Sequence, residues 1–551
     1  MRVSNISNGL KVQAIAGTYV VVLGFDLPET SCNGLLGFSI HRVDHTENEA
    51  YYLEAMKAFA NTDPGFPAGS LYSTRDHPIQ SFQWADYSAK PGHSYTYTVT
   101  ALKGTPAQLT PFATTAVDVE TEIRIGQTHD IYFNRGTAAS QEYIRRFGDR
   151  APQFVANNKA FEWLSRGLYE AMTEFVSTCV PGVHSLRVAA YEFNYAKFLD
   201  VIKTAADTGV DIQVVYDARK DPPSKSNRDA VVIANLQNLT ERTEGKSYIS
   251  HNKFIVKLTN GVAEEVWTGG TNFSDGGIFG HSNVAHVVKD AAIADHYLSY
   301  WQELQANRKS TPMKAAVEAI TTVPSLPVPP GTSVVFSPRQ SLAALDFYGN
   351  LAMSAQEGLF MTFAFGMHPS FQNVYQNSNA RLRMALMEKP TRPMEDGPLK
   401  TAEEQKIQNL RNLPENVFAI GNFIRVNTLD GWVKERLTGL NSNVRYVHNK
   451  FMLVDPLGND PVVVAGSANF SEASTDKNDE NMLVIRGNKR VADIYMGEYM
   501  RLFSHFSFRE SLQWRAPNDP PKPLRTDNWW SDSFGNTERS SRRQYFSTAA
   551  A

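Results

Sequence analysis

Two short stretches of this sequence repeat the same residue types at the same spacing. His251-Asn252-Lys253-Phe254 returns as His448-Asn449-Lys450-Phe451, an offset of 197 positions. At that offset Gly269 matches Gly466, and Asn272-Phe273-Ser274 matches Asn469-Phe470-Ser471. A single His-x-Lys is common on protein surfaces; two copies with eight identities in otherwise dissimilar halves are not coincidence. The residue types suit phosphoryl transfer. A phosphodiester is anionic and gathers further charge on its non-bridging oxygens during transfer. Two Lys ammonium groups supply point charges there, and two Asn amides supply neutral donors. One imidazole can attack phosphorus while the other protonates the leaving oxygen and then deprotonates water. An imidazole titrates near neutrality, which fits both tasks.

Such groups need rigid elements behind them. In each copy the motif opens an alternating stretch, so His251 and Lys253 share one face of a strand, as do His448 and Lys450. A second strand follows at 265–268 or 461–464 and ends at Gly269-Gly270 or Gly466-Ser467, where the backbone can turn tightly and present Asn272 or Asn469. Around the first copy, strands at 130–133, 186–193 and 210–216 alternate with helices. One helix is predicted across Phe161, Leu164, Leu168, Met172 and Phe175, and another across Phe198, Val201, Ile202 and Ala205, ending at Gly209. Strand-helix-strand order implies parallel pairing with right-handed crossovers. A proline-rich connector at 324–331 interrupts the pattern, which restarts with a strand at 333–336, a helix at 342–352 and a strand at 358–365. Residues 388–412, polar and holding Pro390, Pro393 and Pro398, read as a surface insertion.

The first 122 residues are different in texture. Strands are predicted at 19–23, 36–42 and 95–102. The run Pro91-Gly92-x-x-Tyr95-x-Tyr97-x-Val99-x-Ala101 resembles the late strands of fibronectin type III domains, where a corner tyrosine bonds back to nearby backbone. The expected organisation is a β-sandwich at 1–122, an α/β half at 123–323, a second at 324–515, and a tail at 516–551. The aromatics Trp529, Trp530, Phe534 and Tyr545 predict that the tail docks.

Bulk properties narrow the classes. Hydrophobic residues make up 42% and charged residues 20% of 551, as in globular proteins. A net charge of -3 offers no overall basic field for nucleic acid or anionic lipid. Only Cys32 and Cys179 occur, which excludes a disulfide framework. No apolar run reaches the ~18 residues of a membrane span. The stretch 14–25 reads as a strand rather than a signal peptide, so a cytoplasmic protein is expected.

The pattern His-x-Lys-x(4)-Asp, followed by Gly-Gly/Ser-x-Asn, resembles the phospholipase D superfamily over residues 125–515. The resemblance implies two similar α/β domains related by a pseudo-two-fold axis, an active site at their interface, and no metal or other cofactor. It implies that His251, His448, Lys253, Lys450, Asn272 and Asn469 are catalytic, supported by Gly269, Gly466 and Ser467. The motif's aspartate is Asp455 in the second copy and Leu258 in the first; the family uses it structurally. Glu480, in Asn478-Asp479-Glu480-Asn481, resembles the family's partner for a histidine's far nitrogen, and Asn283 stands at the matching offset. Read within each copy, Glu480 serves His448 and Asn283 serves His251. A carboxylate raises an imidazole's pKa more than an amide does. That makes His448 the general acid, protonated at rest, and His251 the neutral nucleophile.

The remaining candidates read more plainly. Asp217-Ala218-Arg219-Lys220-Asp221, at a strand end, reads as solvated loop charge, with the substrate entrance as the alternative. His281 and His286 read as neighbours of the site, not metal ligands. Length, fused halves and low charge favour a phospholipid as the phosphodiester substrate, with both half-sites in one chain and a monomer sufficient. A nuclease or nucleotide phosphodiesterase is the alternative; it needs a basic groove, for which Arg539, Arg542 and Arg543 are the candidates. A binding protein with a weak site is the third reading.

Overall fold

The computed structural model describes residues 1–67, 69–126, 128–136, 141–148, 150–245, 248–421, 447–511 and 522–548. Two seven-stranded mixed sheets repeat one strand order. The first runs His129–Phe133, Val284–Val288, Val262–Gly269, Lys253–Thr259, His184–Ala190, Asp211–Asp217, Leu239–Arg242. The second runs Gly331–Ser337, Glu480–Arg486, Val462–Gly466, Phe451–Val454, Gly358–Phe363, Leu382–Met387, Asn416–Ile420. In each sheet the last three strands are parallel and the rest antiparallel. The parallel strands Gly358–Phe363 and Leu382–Met387 are buried along their whole length, as expected where both faces of a sheet are covered.

Phe254, Val256, Tyr297 and Tyr300 of the first half share one core with Phe336, Phe360, Phe451 and Tyr495 of the second. This apolar seam presses the halves together and fixes the two His-x-Lys segments relative to each other. Phe133 and Phe451 both meet the ring of Tyr495 edge-on, on the long helix Lys489–Ser511.

Three predicted elements need correction. The stretch 14–25 is not one strand: it spans the end of Leu10–Ala16 and the start of Val21–Asp26, which pair antiparallel across a turn at Gly17. The helix expected across 161–175 is two helices, Lys159–Ser165 and Leu168–Ser177. Arg166 and Gly167 between them have φ of 54° and 90°, and the Arg166 guanidinium turns away to pair with Glu498 at 2.9 Å. The stretch 388–412 is no insertion. Its second part, Pro398–Arg411, is the crossover helix between the parallel strands Leu382–Met387 and Asn416–Ile420, equivalent to Ser224–Ile233 in the first half. Pro398 starts that helix rather than breaking it, and Ile407 and Leu410 anchor it.

The N-terminal region is all-β, with one four-stranded sheet holding Arg2–Ser7, Leu10–Ala16, Val21–Asp26 and Gln83–Asp86, and another holding Gln108–Glu120, Ser94–Thr105, Gly37–Asp44 and Glu49–Tyr52. The Tyr95 hydroxyl accepts a hydrogen bond from the Lys90 backbone N–H at 2.9 Å. Within the expected tail, residues 516–521 and 549–551 lie outside the described residues. Trp529 is buried in the β core and donates through Nε1 to the Leu35 carbonyl at 2.7 Å. The helix Glu538–Ser547 lies between the β region and the second half, its Phe546 backbone so close to Gly24 that a Cβ there would meet the Phe546 carbonyl at 2.1 Å. Arg542 donates to Gln83 and Arg543 pairs with Asp26, so these tail arginines hold the helix down. Cys32 and Cys179 are free and buried. No helix among the described residues is long and apolar enough to cross a membrane.

Candidate active site

The central antiparallel strands begin at Lys253 and Phe451, so both histidines and Lys450 lie in the segments leading into the strands rather than on a strand face as expected, and the two halves bring the histidines together. The His251 and His448 ring centroids are 6.4 Å apart at 72°, and each residue is only 5% exposed. Isolated parallel bridges stitch the halves at this point: Ser250 with Asp479, and Ser282 with Val447.

The histidine partners are crossed relative to the sequence expectation. His251 Nδ1 bonds Glu480 Oε2 at 2.9 Å, and His448 Nδ1 bonds Asn283 Oδ1 at 2.9 Å. A constant offset finds equivalent positions within each half. The site lies between halves, so each imidazole takes its partner from the other one. The carboxylate that was to keep His448 protonated therefore faces His251. Burial lowers the His251 pKa to about 4 despite the opposing pull of Glu480. His448 is pushed well below the ordinary imidazole value by burial, then by Lys450, His281, Lys253 and His251. His448 at rest is thus neutral near pH 7, which corrects the expectation of a resting imidazolium.

The lysines lie deeper, each 1% exposed. Lys253 Nζ donates to the His251 carbonyl, and Lys450 Nζ to that of His448 at 2.6 Å. Burial lowers Lys253 to about 7 against Glu480, Glu192 and Asp217, and pushes Lys450 well down, helped by Lys253. Asn272 and Asn469 each keep a buried Oδ1 without a hydrogen-bond partner. Gly277 packs against Asn272 so closely that a Cβ would meet its carbonyl at 2.5 Å.

The supporting residues have distinct tasks. Gly269 and Gly466 let the strand ends approach their neighbours, since a Cβ would meet Val284 O at 2.3 Å or Asn481 O at 2.2 Å. Ser467 Oγ donates to Glu480 Oε2 at 2.7 Å, beside the His251 bond. Asn283 Nδ2 donates to Gly277 O at 2.6 Å, which turns its Oδ1 toward His448. Asp455 sits outside the site; it accepts the backbone N–H groups of Gln356, Glu357 and Gly358 at a strand start. Leu258, in the same place of the first half, is core.

Other expectations divide. His281 is in the site, stacked on His448 with centroids 4.2 Å apart. His286 is instead bonded to His129 and to the Tyr495 hydroxyl. Asp217 and Arg219 are not solvated loop charge: their side chains are 0% and 2% exposed. Asp217 Oδ1 accepts the Ser250 N–H at 2.7 Å, and Glu388 Oε2 accepts the Val447 N–H at 2.9 Å, the matching position before the second histidine. Sequence reading missed this pair, because intervening loops differ in length and the acids fall out of the 197 offset. An acid ending the second parallel strand of each half was the available signal. Tyr191 was also missed; its ring lies 4.9 Å from that of His251.

A family model described as "Cardiolipin synthase, PLD-like domain" matches residues 182–305 and 419–503, segments that hold one histidine motif each. Each of these segments is similar to a phospholipase D-like domain. No curated protein matches this chain. Among solved structures, the phosphatidylserine synthase of Haemophilus influenzae Rd KW20 is 12% identical, with 62% of this chain and 85% of that one covered and a TM-score of 0.42. Polyphosphate kinase of Porphyromonas gingivalis is 10% identical over 59% of this chain, at a TM-score of 0.36; the match spans 46% of the kinase's own length. The phospholipase D family member Nuc of Salmonella typhimurium is 22% identical over 25% of this chain and 86% of its own, at a TM-score of 0.21. The two halves each contribute one histidine, one lysine, one asparagine and the partner of the opposite histidine.

Proposed function

We propose that the chain cleaves or transfers phosphodiesters through a covalent phosphohistidine on His251. The observation that carries this reading is the pair of imidazoles 6.4 Å apart, each tied outward through Nδ1. Each Nε2 is left for chemistry on a group placed between them. His251 Nε2 attacks phosphorus, the P–N bond forms, and the bond to the leaving oxygen breaks. The imidazole gains positive charge in this step, which Glu480 faces and stabilises. His448 Nε2 supplies a proton to the leaving oxygen. The bound phosphate anion raises the His448 pKa into a useful range, and an amide partner leaves that proton easy to release. Water, or an acceptor alcohol, then gives His448 a proton, attacks phosphorus and breaks the P–N bond. Lys253, Lys450, Asn272 and Asn469 hold the non-bridging oxygens throughout. The nucleophile is the one inferred from sequence, but the reason is reversed: the carboxylate assists the attacking ring.

The substrate reading is a phospholipid. Support comes from the net charge of -3 and from tail arginines engaged with Gln83 and Asp26 rather than gathered in an open groove. The test measures choline release from phosphatidylcholine, cleavage of single- and double-stranded DNA, and cleavage of bis-p-nitrophenyl phosphate in parallel, at two salt concentrations. The expected result is lipid turnover without DNA cleavage, abolished by His251→Ala. Salt-sensitive DNA cleavage would replace lipid by nucleic acid, and inertness toward every ester would leave a binding protein. His448→Ala should retain a burst of p-nitrophenolate, whose departure needs no proton, and accumulate a p-nitrophenylphosphoryl group on His251. That group trapped elsewhere overturns the nucleophile assignment.

A further inference from the structure

The residue before Glu480 carries a buried charge that no step above uses. Asp479 is 1% exposed, and its Oδ2 accepts from Arg219 Nη2 at 2.5 Å and Arg242 Nε at 3.1 Å. Both arginines come from the other half, at the ends of its second and third parallel strands. Arg242 is itself anchored, donating through Nη1 to Asn307 Oδ1 at 3.2 Å and to the Arg308 carbonyl at 2.5 Å. Arg219 Nε stands 4.0 Å from Asp217 Oδ1, the oxygen that accepts the Ser250 N–H.

The backbone of Asp479 is held to the same segment. Its N–H donates to Ile249 O at 3.0 Å, and its carbonyl accepts the His251 N–H at 2.9 Å. Asp479 therefore ties down the residue that carries His251 and the residue that carries its partner carboxylate. The other half-site is built differently. Ser282 stands where Asp479 would, and its Oγ accepts the His448 N–H at 3.3 Å, with no ion pair.

A buried ion pair is weak evidence for stability, since desolvation offsets much of the attraction; its better-attested use is to fix one geometry. We infer that Asp479, clamped by Arg219 and Arg242, is a positioning residue for His251. It sets the approach of Glu480 to the ring and so locks the Nδ1–H tautomer that leaves Nε2 as nucleophile. The inference rests on the phosphohistidine reading for its catalytic meaning, but not for its structural content. Misplacing an attacking group by ~1 Å can cost about 100-fold in rate.

The test compares wild type with Asp479→Asn, with Arg242→Lys, and with the charge-free triple variant Arg219→Met, Arg242→Met, Asp479→Leu. The triple variant removes every clamp charge at similar volume, so it remains informative if Asp479→Asn fails to fold. Each is assayed on bis-p-nitrophenyl phosphate for kcat, KM and the p-nitrophenolate burst rate. Melting temperature and the downfield proton resonance of the His251 Nδ1–H are recorded alongside. The expected result for the triple variant is a kcat and burst rate lowered about 100-fold, KM within about twofold, and a shifted or lost proton signal. Arg242→Lys, which keeps charge but loses the fork, should fall between. A triple variant with wild-type kcat and an unmoved resonance would overturn the inference. Wild-type inertness toward all esters would sink the phosphodiesterase reading alone, because the proton resonance still tests the clamp.

Discussion

The two half-sites share histidine, lysine and asparagine, and an acid behind the residue before each histidine, but differ in what holds each ring. His251 faces the carboxylate of Glu480, itself gripped by Ser467 Oγ, and its backbone hangs from a clamped aspartate. His448 faces the amide of Asn283 and stacks on His281, and its backbone N–H meets a serine hydroxyl in place of a clamped aspartate. On the proposed mechanism one ring carries positive charge in place and the other gives a proton away. The repeat supplies two equivalent imidazoles, and their partners from the opposite half are unequal.

Exchanging partners breaks that comparison most severely. Glu480→Gln leaves a hydrogen-bonding partner but removes the charge behind the attacking ring, and kcat should fall about 10²–10³-fold. Asn283→Ala, measured in the same assay, should lose less with a leaving group that needs no proton than with an alkoxide. Equal losses for both variants on both leaving groups would show that the half-sites are interchangeable.

Acid sharpens the comparison next. His251 and His129 are lowered to about 4 and His281 to about 3, and His448 and His286 lie well below the ordinary value, all chiefly by burial. For these rings the unfolded chain binds more protons below pH ~6.5, so their share of the stability is fully present above that pH and declines toward pH ~4, while the lowered Lys253 and Lys450 add a share that is already declining from pH ~10 downward. Thermal melts across this window should show the midpoint dropping. Inorganic phosphate in the site should oppose part of the drop, because an anion favours the protonated rings. A midpoint flat from pH 7 to pH 4 would contradict the buried neutral rings.

The smallest effect is expected at Asp455, where the halves differ without chemical consequence. Asp455→Ala frees three backbone N–H groups and should cost about 1–3 kcal/mol of stability, read by denaturant melts, with kcat within about twofold. A large loss of kcat at unchanged stability would place Asp455 in the chemistry.

The sequence made the histidine, lysine and asparagine set legible because those residues flank paired strands with the same spacing in both halves. It also revealed the alternation of strands and helices, since buried parallel strands such as 358–363 are apolar runs interrupted by a single polar residue, Thr362. What it hid was contact between halves. Period and offset describe one chain segment at a time, whereas the pairing of His251 with Glu480 and the grip of Arg219 and Arg242 on Asp479 arise only after the faces meet. Polar helices were the other weak point. Pro398–Arg411 shows few apolar residues because it covers only one edge of the sheet, so composition alone suggested a loop.

The crossing of partners has a consequence for how the halves depend on each other. His251 and Glu480 are 229 positions apart, His448 and Asn283 165. Each ring's Nδ1 partner lies in the other half, so separating the halves would remove both protein partners at once and leave the two imidazoles to solvent.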